Sequence, residues 1–134
     1  MAFRTTDRYG GRDHYGDDAD VPAVAEGLLE ELETEQFEEP DDEHAEVAVS
    51  FGDWTLSVHV SGLLSLQDLS WIGPGGKLGR PIPPLCRWAK TRKGVADMLA
   101  MLARGEVEQL RAKSGWVRRE ELPAPKGGDF FRRG

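Results

Sequence analysis

From Ala45 to Trp71 the chain reads AEVAVSFGDWTLSVHVSGLLSLQDLSW, with apolar and polar residues alternating strictly enough to define a register. This predicts a β-hairpin over 45–60. With Gly52 and Asp53 as a two-residue turn, Phe51 faces Trp54, Val49 faces Leu56 and Val47 faces Val58 on one side. Ser50 then faces Thr55, Ala48 faces Ser57 and Glu46 faces His59 on the other, so a slip of one residue would scramble both faces. Residues 63–69 continue as a third strand if a three-residue loop, Ser61 to Leu63, pairs Val60 with Leu64 and Val58 with Leu66. The competing reading makes Ser65 and Asp68 a capping box that opens a short helix through Trp71.

Two stretches change to a helical period. Val21, Val24, Ala25, Leu28, Leu29 and Leu32 recur at spacings of three and four behind Asp20 as a cap, which predicts an amphipathic helix over about 20–37 that Pro40 ends. Its acids gather toward the C-terminal half, where the macrodipole disfavours them and a cationic neighbour would relieve the penalty. Val95, Met98, Leu99, Leu102, Val107 and Leu110 predict a second helix over about 94–113, bent or divided at Gly105 and stopped at Gly115. The fold expected is α+β, a small two- or three-stranded antiparallel sheet covered on one face by two helices, with Glu46, Ser57 and His59 toward solvent.

The remaining stretches lack either period. Residues 1–17 read as a flexible arm and 123–134 as a flexible basic and aromatic tail, which leaves 18–122 as one small domain. Gly and Pro fill eight of the thirteen positions from Gly73 to Leu85, a loop long enough to suggest function.

Charge divides the chain sharply. Residues 1–44 hold fifteen acids and three bases, whereas 45–134 hold nine acids and fourteen bases. An acidic front on a basic back suggests that the two halves meet each other or that each meets a partner. Glu30, Glu31, Glu35, Glu38, Asp41 and Asp42 are the candidate acidic face for a partner protein; alternatively the segment 17–46 masks the chain's own basic segment. That segment, 77–93, offers Lys77, Arg80, Arg87, Trp88, Lys90, Arg92 and Lys93 for a nucleic acid or a protein partner. Phe130, Phe131, Arg132 and Arg133 form a candidate tail motif.

Enzymatic motifs are missing. The glycines at 73, 75, 76 and 79 fail the phosphate-loop pattern, with Trp71 in place of its first glycine and Leu78 in place of its Ser or Thr. Glu46 beside His59 reads as a surface pair without an activated nucleophile, and His14 and His44 with their acidic neighbours lack the spacing of a metal site. The expectation is a chain without enzymatic activity, cofactor or metal. One cysteine, Cys86, and no apolar N-terminal run predict a cytoplasmic protein with no membrane association. The lack of asparagine and the excess of arginine over lysine suggest a GC-rich bacterial or phage genome. The function expected is that of a non-catalytic accessory, inhibitor or assembly module binding a larger protein through its charged arm, loop and tail. Nucleic-acid binding is the alternative, and an unpaired sheet edge would admit a second copy.

Overall fold

The predicted hairpin is the centre of a sheet much wider than two or three strands. A computed structural model describes residues 2–34, 46–124 and 130–131. Strands β3 (Glu46–Phe51) and β4 (Trp54–His59) pair in the expected register, Phe51 opposite Trp54 through Glu46 opposite His59. Gly52 makes the turn with φ +57°, and Ser50 and Thr55 share a hydroxyl hydrogen bond of 2.9 Å across the strands.

Five further strands extend this pair into an antiparallel sheet of seven, ordered β2-β1-β3-β4-β5-β6-β7. β1 (Phe3–Thr6) and β2 (Arg12–Tyr15) come from the stretch expected as a flexible arm, which is instead a hairpin paired to β3. Each carries one large apolar side chain on the inner face, and Phe3 and Tyr15 stack there with ring centres 5.0 Å apart. Arg4 fastens the hairpin by donating from Nη2 to the Gly52 carbonyl at 2.7 Å. β6 (Leu85–Trp88) and β7 (Val117–Arg118) complete the other side.

Residues 63–68 form a strand, β5 (Leu63–Asp68), rather than a helix, and Leu64 and Leu66 lie on the apolar face as expected. Their partners differ by two positions: Val58 pairs with Leu64 and Leu56 with Leu66. The three-residue loop is therefore Val60 to Gly62. Its last position takes φ +93°, a conformation that glycine adopts freely and Leu63 would not.

Helix α1 (Val21–Thr34) begins where expected, with Asp20 Oδ1 accepting from the Ala23 N–H; 35–37 lie outside the described residues. The second helical stretch is two helices, α2 (Arg92–Ala103) and α3 (Val107–Arg111), divided at Gly105. Gly105 has φ +78°, and a Cβ there would stand 2.7 Å from Phe51 Cζ. Leu28, Leu29 and Leu32 of α1 join Val95, Leu99 and Leu102 of α2 in one core with Val47, Val49, Leu56, Val58, Leu64 and Leu66 of the sheet. The opposite face carries Ala48, Ser50, Thr55, Ser65 and Gln67. Ser57, expected toward solvent, is buried with 9% of its surface accessible. Both sheet edges are blunted, β2 by Arg12, Asp13 and His14 and β7 by its two-residue length. Among the described residues no helix is long and apolar enough to cross a membrane.

Candidate interaction surface

The Gly/Pro loop is held by its own backbone. Gly79 N–H donates to the Trp71 carbonyl at 2.6 Å, Gly73 N–H donates to the Lys77 carbonyl at 2.6 Å, and Ile72 and Leu78 form an antiparallel bridge. A single 3-10 turn, Pro74–Gly76, closes the tip, with Gly75 and Gly76 at φ +71° and +78°. Gly79 is needed at the neck for another reason: a Cβ there would lie 2.9 Å from the Trp71 carbonyl oxygen. At the base, Leu69 N–H donates to the Asp53 carbonyl at 2.8 Å, which ties the loop to the β3–β4 turn.

Three large apolar side chains of this Gly/Pro stretch face outward, two within the closed loop and one beyond its neck. Leu78 is 71% exposed, Ile82 42% and Ile72 41%, so three of the five exposed large apolar residues among those described share one stretch. Scattered apolar residues on a surface are ordinary, but Ile72 and Leu78 are brought opposite each other by the bridge of a self-braced loop. Lys77 and Arg80, also exposed, lie on either side of Leu78 in sequence.

The other candidate residues of the basic segment disperse. Arg92 turns to α1, donating from Nη1 to Glu26 Oε2 at 2.6 Å and from Nε to Glu33 Oε1 at 2.9 Å. Its hydrogen bonds to Glu33 and then to Glu26 hold its guanidinium protonated even more firmly than usual. Lys93 pairs with Asp97 one turn along α2 at 2.9 Å. Trp88 lies on the opposite side of the sheet from Arg87, its Nε1–H donating to the Pro123 carbonyl at 2.8 Å. Only Arg87 and Lys90 remain together, in a cavity they share with Lys113.

On the acidic side, Glu31 is engaged internally by a residue that sequence reasoning missed. Arg8, buried in the β1–β2 turn with 3% exposed, donates from its backbone N–H to Glu31 Oε1 at 3.3 Å and from Nη1 to the Glu31 carbonyl at 2.9 Å. With Arg92 it supplies the cations that the last turns of α1 call for, and that electrostatic need was its only signal in the sequence. Glu30 is exposed, while Glu35, Glu38, Asp41 and Asp42 lie outside the described residues.

The tail motif is docked on its own chain. Phe131 is buried at 2% exposure with its N–H donating to the Val60 carbonyl at 2.9 Å, and Phe130 packs over Gly62, where a Cβ would lie 2.8 Å from its own. Arg132 and Arg133 lie outside the described residues.

Of the hairpin's polar pair, His59 serves the β4–β5 turn: its Nδ1 accepts from the Ser61 N–H at 3.1 Å and lies 2.7 Å from Ser61 Oγ. Cys86 is buried with its Sγ 3.9 Å from Ser65 Oγ. No tryptophan is an exposed anchor: Trp54 and Trp116 pack against the core, each beside an arginine, Arg111 at 5.2 Å and Arg87 at 5.6 Å from the ring centres. Among the described residues no group of three His, Cys, Asp or Glu side chains is placed to hold a metal. No family model, curated protein or solved structure matches the chain.

Proposed function

We infer that this is a non-catalytic interaction protein that seats its Gly/Pro loop in a larger protein partner. The observation that carries the reading is the exposure of Ile72 and Leu78 on a loop braced by its own hydrogen bonds, with Ile82 exposed three residues beyond its neck. Such a loop is largely ordered before it binds, so little conformational entropy is lost on docking. Burying Leu78 alone would contribute roughly 1.5–3 kcal/mol. The partner surface this loop fits is an apolar concavity with an acidic rim, the apolar part receiving Leu78 and Ile72 and the rim facing Lys77 and Arg80.

The loop takes over the role assigned to arm and tail in the sequence reading. Glu31 and Phe131 are spent on the chain's own fold, and Arg92 is spent on α1. That last contact supports partial masking of the basic segment by the acidic helix, and the dispersal of the remaining cations favours a protein partner over a nucleic-acid strand.

A photo-activatable amino acid placed at Leu78 tests the reading. Crosslinking in the native host should join it to one larger protein, whereas the same group at Tyr9, 55% exposed on the β1–β2 turn, should not. Equal, diffuse crosslinking from both positions would contradict it.

A further inference from the structure

A second concave feature lies away from the loop, between β6, the first turn of α2 and the residues that follow α3. Its volume is about 320 Å³, and Arg87, Lys90, Thr91, Met98, Lys113 and Ser114 line it together with Gly94. No carboxylate is among the lining residues. Two cations of one segment, Arg87 and Lys90, meet a third, Lys113, from the end of the α3 region, and an anion would relieve their mutual repulsion.

Arg87 is held in place by two contacts. Its Nη1 donates to the Ser114 carbonyl at 2.6 Å, and the guanidinium carbon lies 5.6 Å from the centre of the Trp116 ring. Its Nε is buried and is the only buried side-chain nitrogen or oxygen among the described residues without a hydrogen-bond partner. That nitrogen is sealed against the protein, so the side chain meets the cavity through the rest of its guanidinium, whose charge remains uncompensated by any lining carboxylate. The twelve-residue helix α2 begins at the same place, capped by Thr91, and its positive end adds to the potential of the three side chains.

We propose that this cavity binds a phosphomonoester group carried on a small molecule. The guanidinium and the two ammonium groups carry three positive charges, enough to neutralise a phosphate dianion, the Thr91 and Ser114 hydroxyls add hydrogen-bonding capacity, and Met98 offers apolar contact to the substituent. The volume is at the small end for ligand pockets and suits one phosphate with a compact substituent. A nucleic-acid strand would need a row of cations instead. Arg92 and Lys93, which continue the basic run, are turned to Glu26, Glu33 and Asp97, so no such row continues from the cavity.

Titrating the ¹⁵N-labelled full chain at constant ionic strength, balanced with chloride, tests this. The probes are phenyl phosphate, inorganic phosphate and a single-stranded oligodeoxynucleotide. Phenyl phosphate should give saturable shifts of the Arg87 Nε–H and of the Gly94 and Ser114 amides. Lys90→Ala and Lys113→Ala, both at exposed positions where the fold is not at risk, should each weaken binding about tenfold, while Lys77→Ala should leave it unchanged. Shifts no larger than those from chloride, or insensitive to both lysine variants, would overturn the proposal. So would binding of inorganic phosphate without phenyl phosphate, or tighter binding of the oligonucleotide that also falls in Lys77→Ala, which would assign a strand-binding surface.

Discussion

Arg92 lies against Glu33 with two of its guanidinium nitrogens, Nε at 2.9 Å and Nη2 at 2.8 Å from the same carboxylate oxygen, and so joins the basic half of the chain to the acidic helix. Glu33 is the more sheltered partner, with 13% of its side chain exposed against 32% for Arg92 and 46% for Glu26. Partial exposure limits the contribution, and Arg92→Gln should destabilise the fold by about 1 kcal/mol at low salt and by less in 1 M NaCl. Urea unfolding at the two salt concentrations measures the difference. The guanidinium pKa is raised by its carboxylate partners, so its stabilising effect is fully present below the ordinary arginine pKa and is lost only as pH rises through the still higher folded value. Arg92 titration therefore adds no pH dependence between about pH 5 and 9; salt is the sensitive variable.

Gly105 and Gly75 separate two costs of a side chain. Both have positive φ, but a Cβ at Gly105 meets Phe51 at 2.7 Å, whereas one at Gly75 meets nothing within 4 Å. Gly75→Ala should cost about 1 kcal/mol through backbone strain alone. Gly105→Ala should cost about 2–4 kcal/mol, because overpacking against Phe51 is added. Thermal unfolding of the two variants should place Gly105→Ala well below Gly75→Ala.

Phe131→Ala removes a ring that is buried beside the Val60–Gly62 loop and should destabilise the fold by about 3 kcal/mol. Phe130→Ala, at a residue 39% exposed, should cost clearly less. Equal effects in chemical denaturation would contradict the docking of the tail.

What could be read from the sequence depended on how local its cause was. The β3–β4 register needs only Gly52 and the alternation around it, and the start of α1 needs only Asp20 and the apolar spacing behind it. β1, β2, β6 and β7 are short, and Arg87 stands at an inward position of β6, so their strand character comes from pairing with neighbours that no local pattern announces. The β4–β5 loop shows a missed local signal, because Gly62 belongs at the position that requires positive φ. The long Gly/Pro loop was legible as a candidate surface from composition. That Ile72 and Leu78 face outward was not, since it follows from the closure between Trp71 and Gly79. The meeting of Arg87 with Lys113 was equally hidden, since it depends on how α2 and α3 return the chain to β6.

On the proposed function, the exposed apolar residues of this loop carry recognition and leave the fold untouched. Affinity capture from the native host should be compared between the unaltered chain and Leu78→Asp/Ile82→Asp, alongside their melting temperatures. Both positions are exposed, so stability should change by less than about 0.5 kcal/mol. The account predicts loss of the captured larger partner at unchanged melting temperature; capture of the same partner in the same amount by the altered loop would contradict it.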